Sequence, residues 1–361
     1  MHRAAPEQAG DPLDREVRAL ERELVASVGP SDVAYLVRLH HLNRALKWIG
    51  RGLAAFLPGP LMLVGAVVLA INKQLSVGPL GHDIYHGAWE GVEGAEAFAV
   101  QHWQWDAPID KATWQAMHNR AHHAHTGTAH RDVDNHFLFV RINPHVETDP
   151  VLTPVQGLIV PACLLGFTHV AHMQYLGVFD QLALRLSRNT VRKVPVGTRQ
   201  ALREWWRSIR GYAAEHYLLG PACFGPYAPK VFAAELIAGR MRDLALFYFA
   251  YATHAGPDSA WTPETHRSRG RGGWLRDRIA VSYNTRLPRA LSLLYDAVDL
   301  HIEHHVFPRL PSHKLAEAAP RLRAICERHG VPYRVESISS RLWTTFAEFW
   351  RLRDRRIRGR Q

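Results

Sequence analysis

Cysteine is scarce: Cys163, Cys223 and Cys326 are the only three in a chain of 361 residues. So few, so widely spaced, exclude a disulfide framework, a zinc ribbon and a cysteine-ligated iron–sulfur cluster. The zinc-protease pattern HExxH is missing too, because the nearest approach, HDIYH at residues 82–86, lacks the adjacent Glu. No internal repeat and no low-complexity linker occurs. The first eleven residues are polar and lack the basic, apolar, small-residue order of a secretory signal. A disordered chain is excluded as well, since 47% of residues are hydrophobic and only 21% charged. At about 150 residues per domain, the length suggests two or three globular units.

Histidine is what the chain has in excess, with 23 residues unevenly spread. Lys and Arg number 44 against 33 Asp and Glu, a net charge of +11, which suits a nucleic acid or an anionic membrane face. The mean hydropathy of −0.20 hides segregated apolar stretches. Residues 52–72 carry no formal charge and lie between Arg51 and Lys73, long enough for one bilayer span, though Pro58 and Pro60 interrupt its first third. A second stretch covers 151–179, and a third, 212–256, has the pattern of a helical hairpin turning near Pro226 to Pro229. Leu13, Val17, Leu20 and Leu24 predict an amphipathic helix over 12–28, lying on a membrane surface or docked on the core. Arginine-rich connectors at 185–210 and 267–289 flank the apolar segments, as cytoplasmic segments of membrane proteins do. A compact basic–aromatic recognition motif is absent, so nucleic acid is not an expected partner.

Three histidine clusters stand out: His82 and His86; His118, His122 and His123; and His301, His304 and His305. On a helix, residues i, i+3 and i+4 share a face, so each cluster aims two or three imidazoles one way. A lone HxxxH is weak, and a single buried histidine is more often a hydrogen-bonded core residue than a ligand. Eight together need partners for all their nitrogens, and a metal provides them by taking one nitrogen of each neutral ring. His125, His130, His136, His145, His169, His172, His216 and His313 are left unassigned. Zinc needs only four ligands, and carboxylate-bridged di-iron bundles use Glu and Glu-x-x-His motifs that these clusters do not supply. Eight imidazoles suit two metals with open positions, and imidazole is a good iron ligand. The expectation is a dinuclear non-haem iron centre beside membrane spans, acting with dioxygen on an apolar substrate.

These residues resemble the membrane fatty acid desaturases, a family that includes related hydroxylases and is marked by three histidine boxes in this order. The resemblance covers about residues 75–335. It rests on GHDIYHGAWE, WQWD at 103–106, the run from Trp114 to Asp134 with HNRAHHAHTG, RGGWLRDRIAVSYNT at 271–285 and IEHHVFPRLPSHKL at 302–315. Together these look like bacterial acyl-chain desaturases of the linoleoyl-CoA desaturase type.

The resemblance implies iron ligation by His82, His86, His118, His122, His123, His304 and His305, with His301 at a position that is Gln in many relatives. It adds His254, in YATHAGPD, as a further ligand. Asp83, Asn119, Asp132, Asp134 and Glu303 fit roles in holding imidazoles in one tautomer and orientation. The implied fold is all-α: an integral membrane helical bundle with a cytosolic helical cap that carries a histidine-rich two-iron site and faces the cytoplasm. Residues 1–50 form an amphipathic cytosolic segment, 51–335 the desaturase domain and 336–361 a basic tail.

The implied reaction is oxygen-dependent insertion of a cis double bond into a fatty acyl chain carried on CoA, acyl-carrier protein or lipid. No HPGG-type haem motif and no flavin or nicotinamide glycine fingerprint occurs, so electrons come from a separate carrier, for which the resemblance suggests ferredoxin and its reductase. Trp89, Trp103, Trp105 and Trp114 suit a substrate tunnel, an interface anchor or core packing. Three rivals stay open at this level: a hydroxylase on the same metal centre, an inactive membrane metal-binding protein, and a zinc hydrolase.

Overall fold

A computed structural model describes residues 11–132, 141–146, 153–158, 166–176 and 198–359. Asp134, His136, Cys163 and part of the 185–210 connector lie outside these. The described chain is mostly helical, with one two-residue parallel pairing of β1 (Asn284–Thr285) with β2 (Val335–Glu336) and an isolated parallel bridge between Thr128 and Thr262.

Helix α1 (Pro12–Ala26) starts where the Asp11 carboxylate accepts from Leu13 N–H at 2.9 Å, with Pro12 in the first turn. Its Leu13, Val17, Leu20 and Leu24 are buried with Leu275, Ile279 and Leu322, so the helix docks on the core. Helix α2 (Pro30–Phe56) ends at Leu57 and Pro58, and Gly59 turns the chain at φ +50°. Helix α3 (Met62–Leu75) then returns, and a π-helical segment (Ser76–His82) carries it on to Tyr85. The uncharged run 52–72 is therefore the tip of a hairpin and not one continuous span, because its prolines fall at the turn. Gly65 lets the two arms touch: a Cβ there would lie 2.3 Å from Ala54 N.

The second hairpin turns where the sequence places it. Helix α6 (Thr198–Ala214) continues through Glu215–Leu219 and Gly220–Ala222, turns at Gly225–Tyr227 and returns as α7 (Ala228–Phe247). The two tips meet, with the Phe56 ring packed edge-on against Phe224 and Tyr227. Between the hairpins, charges of the third apolar stretch pair internally. Glu235 accepts from Arg51 at 2.8 Å and pairs with Lys73 at 2.6 Å, and all three are buried. His216 bridges Glu235 and Asp106 at 3.1 and 2.6 Å. Meanwhile Leu63, Val64 and Val67 on α3 and Phe232, Leu236, Met241 and Leu244 on α7 are exposed. This inside-out arrangement, with charges within and aliphatic side chains without, suits an apolar surrounding. Among the described residues, one helix, Gly59–Tyr85, is long and apolar enough to cross a membrane.

The cap sits at the end opposite the hairpin tips. It comprises α4 (Lys111–Trp114, continuing to His125), α5 (Phe167–Tyr175), α8 (Gly270–Val281), α9 (Arg289–Leu294), α10 (His301–Val306), α11 (Leu315–Arg328) and α12 (Ile338–Arg351). Of the apolar stretch 151–179, the described parts are a helical turn at 153–158 and α5.

Candidate metal centre

All three histidine boxes, and His254 after the end of α7, converge at the junction of hairpins and cap. Two sets of four imidazoles form: His82, His86, His118 and His304 in one, and His122, His254, His301 and His305 in the other, with ring nitrogens of each set within 4.8 Å of one another. His123 stands beside the first set, its Nε2 3.1 Å from His118 and 3.0 Å from His304. All nine histidines expected from the sequence are thus in one place. The clusters do not divide by box, since the second and third boxes each feed both sets.

Local backbone geometry explains that division. The segment Gln115–His122 is π-helical, and His123 N–H bonds back to His118 O, a five-residue step. The wide turn lays His118 over His123, and His122 turns to the other set. A second π segment (Ser76–His82), with Pro79 inside and a non-helical Gly78, delivers His82, and a third (Tyr248–Ala252) leads to His254. Such bulges concentrate at functional sites because they re-aim side chains without ending the helix. Trp105 Nε1 donates to Ser76 O at 3.1 Å, at the start of the Ser76–His82 segment.

The ring nitrogens are arranged as ligands are. His82 Nδ1 lies 2.6 Å from Asp296, His122 Nδ1 lies 2.8 Å from Asp132, and His254 Nδ1 lies 3.3 Å from Val281 O. Donation from Nδ1 leaves the Nε2 lone pair directed inward. The Nε2 atoms of His254, His301 and His305 form a triangle with sides of 2.8, 3.2 and 3.0 Å. Three such atoms cannot all be satisfied by hydrogen bonds, and His86 Nε2 is buried with no partner at all. A cation amid each set resolves both problems, and an all-imidazole donor set fits iron. Burial, and then the neighbouring rings, hold His86, His123, His301, His304 and His305 well below the ordinary histidine pKa. They are neutral, as ligation requires.

The residues expected to orient the imidazoles divide. Asp132 does so directly, and its other oxygen accepts from Gly127 N–H at 2.7 Å. Burial pushes its pKa up, but the charge and hydrogen bond of His122 outweigh this and hold it low. Glu303 instead anchors the α10 backbone: it accepts from Tyr333 and Asn284, each at 2.7 Å, and Asn284 accepts from Ile302 N–H at 2.8 Å. Asn119 donates to Tyr85 O at 2.7 Å, tying the second box to the first. Asp83 accepts from Ser312 N–H at 2.9 Å and lies beside Asp296. Asp296 itself was not foreseen. It sits at φ +63°, uncommon outside glycine, and no motif or spacing marks it. Of the unassigned histidines, His172, His216 and His313 pair with carboxylates elsewhere.

An apolar cavity opens onto the metal centre. Val77, Trp105, Trp114, Met117, Phe167 and Phe249 line it, and His82, His118, His122, His254 and His301 form part of its wall. Trp89 is core, and Trp103 packs on Phe98, so only Trp105 and Trp114 of the four tryptophans face the cavity.

The family model described as fatty acid desaturase matches residues 58–337. The chain is 26% identical over 348 residues to an NADPH-dependent stearoyl-CoA 9-desaturase of Mycobacterium tuberculosis (strain ATCC 25618 / H37Rv), covering 93% of this chain and 79% of that protein. It is 22% identical over 353 residues to a Delta(8)-fatty-acid desaturase of Euglena gracilis, covering 91% of this chain and 76% of that one. Fatty acid desaturase 3 of Homo sapiens is 30% identical over 73 residues, covering 20% of this chain and 15% of that protein.

Proposed function

The chain belongs to the fatty acid desaturase family and is an oxidoreductase acting on fatty acyl chains; we propose that it does so with two irons held by the nine converging histidines. His82, His86, His118 and His304 hold one, His122, His254, His301 and His305 hold the other, and His123 completes the set beside the first. The observation that carries this is the convergence of inward-facing Nε2 atoms about 3 Å apart, with their Nδ1 sides fixed by Asp296, Asp132 and Val281 O.

The metal pair supplies activation of dioxygen with two delivered electrons and two protons, so that two adjacent methylenes lose one hydrogen each, giving a cis double bond and two waters. The chain does the rest. The apolar cavity binds the acyl chain and excludes water from the reacting carbons. Trp105 and Trp114 supply rigid wall next to His82 and His118, fixing which carbon pair lies nearest the metals. Asp132 and Asp296 keep two ligand rings from turning.

The substrate is an acyl-CoA, by similarity to the mycobacterial relative, with acyl-carrier protein and acyl lipid as other possible carriers. Electrons come from an external donor, ferredoxin with its reductase or an NADPH-dependent reductase. Family members are usually membrane-associated, and here the two hairpins are read as embedded, with the desaturase unit of 51–335 presenting its metal end to the cytoplasm. Purified protein given stearoyl-CoA, dioxygen and a reduced ferredoxin is expected to yield an alkene by gas chromatography with mass spectrometry. Product formed equally well without dioxygen or reductant would overturn the proposal.

A further inference from the structure

Among the described residues, helix α12 presents a largely exposed aromatic face. On α12, Trp343, Phe346 and Trp350 recur at i, i+3 and i+7 and are 78%, 39% and 53% exposed, whereas Phe349 is buried against Phe247 and Tyr251 of the α7 end. A second element extends the patch. A Cβ on Gly157 would come 2.8 Å from the Trp350 ring, and the neighbouring Leu158 is 72% exposed. A stripe of this kind on a soluble surface would be an aggregation liability.

The segment after α12 is held rigidly beside that stripe. Arg141 is fully buried and spends its guanidinium on backbone carbonyls. It donates to Leu352, Asp354 and Ile357 at 3.2, 3.4 and 2.5 Å, and to Pro144 and Val146 at 2.8 and 3.0 Å. Burial, and then the charges of Arg358 and Arg351, push its pKa down to about 10. On the fixed backbone, Arg351 and Arg356 are neutralised by Glu348 and Asp354. Arg353, Arg355 and Arg358 remain as exposed surplus charge. Arg353 lies 3.8 Å over the Trp350 ring, so cation and aromatic surface form one unit.

We propose that α12 and the arginine segment after it form an in-plane anchor that seats on an anionic bilayer surface, tryptophans at headgroup depth and arginines on lipid phosphates. The chemistry is that of an interfacial helix: aromatic residues on one side, cations beside them, and no charge within the stripe. Its place in the fold agrees. Phe346 stacks on Phe247 where α7 reaches the metal end, and α7 carries the exposed Leu236, Met241 and Leu244 along the way. The anchor thus continues an apolar surface already turned outward.

The test uses the full chain with Cys163→Ser and Cys223→Ser, and with Trp343→Cys carrying an NBD fluorophore. The labelled protein is placed in nanodiscs of phosphatidylcholine with or without phosphatidylglycerol. Blue-shifted emission, quenching by doxyl lipid at headgroup depth, and stronger shielding with phosphatidylglycerol are expected. Reversing Arg353, Arg355 and Arg358 to Glu is expected to weaken shielding roughly fivefold for each charge reversed. Free iodide access in both lipids, or shielding indifferent to phosphatidylglycerol and to the reversal, would overturn the proposal. So would shielding that appears only when protein concentration rises or when an acidic carrier such as ferredoxin is added, because the face would then bind a protein. None of these readouts depends on desaturation, so failure of the anchor and failure of the catalytic proposal are distinguishable.

Discussion

His118 and His123 are five residues apart, and their Nε2 atoms lie 3.1 Å from each other. An α-helix would put His118 over His122; the π turn puts it over His123 and frees His122 for the second set of imidazoles. One short segment therefore contributes to both sets of imidazoles, His118 to the first and His122 to the second. His118→Ala and His122→Ala should each lower bound iron from about two per chain to about one, because a four-imidazole set loses one ligand and its second-sphere order. Metal analysis of the purified variants checks this. Two irons retained in either variant would exclude that residue from its set.

Asp296 is expected to act through His82 and not on substrate. Asn is nearly isosteric and tolerates the positive φ, so Asp296→Asn should fold normally. Loss of the carboxylate should lower iron affinity about 10- to 100-fold. Chelator competition reads the affinity, and circular dichroism reads the fold. Asp296→Ala should do worse on both counts, since it adds backbone strain to the lost hydrogen bond.

Glu235 is the hinge of the buried ion cluster between the hairpins. Glu235→Ala leaves the buried Lys73 without a carboxylate partner and Arg51 with Glu215 alone; breaking a buried pair in this way typically destabilises by about 3–5 kcal/mol. Thermal unfolding in detergent or nanodiscs measures it. A midpoint unchanged from the parent would mean that the two cations find other partners or solvent.

The helix bearing the second box begins at a titratable cap. Asp110 accepts from Thr113 N–H at 2.9 Å and from the Thr113 hydroxyl, and lies 3.3 Å from His172. Burial raises its pKa, but these hydrogen bonds and the His172 charge outweigh that and bring it down to about 2 from the usual 3.8. A depressed carboxylate gives stability that is present above the unfolded value and is lost as pH falls through the folded one. The cap contribution should therefore be complete above about pH 4 and disappear toward pH 2. Asp110→Asn should remove the acid-dependent part, and Asp110→Ala should remove the cap as well, about 1 kcal/mol. Trp114 fluorescence during acid titration follows both. Identical acid transitions in parent and Asn variant would rule out this assignment.

The cavity makes a steric prediction. Ala171 and Ala250 line it with small side chains, so Ala171→Trp or Ala250→Trp should exclude a stearoyl chain and favour shorter ones at unchanged iron content. Product chain lengths resolve the matter. A preference identical to the parent would move the acyl chain elsewhere.

How much of this could be read along the chain depends on whether the determinant is local. The three boxes and the capped helix at Pro12 are short-range patterns, and so is the hairpin turn near Pro226; each appears in the structure. His254 carries no spacing signal and was identified through resemblance alone. Asp296 reaches His82 across 214 positions, a contact that leaves no periodicity in either segment. The π turns were invisible for a related reason: histidine spacing reads as α-helical until the backbone is seen to take one more residue per turn. The uncharged 52–72 run has the length of one span, and its composition does not say whether Pro58 and Pro60 kink a helix or turn the chain. At a hairpin tip both arms are apolar, and only the turn residues distinguish the two cases.

The most direct measurement is gas chromatography with mass spectrometry of the acyl lipids of cells making the intact protein, beside cells making His122→Ala. New monounsaturated or polyunsaturated chains in the first and none in the second are the predicted result. The same lipid profile in both would contradict acyl-chain desaturation at the two histidine sets.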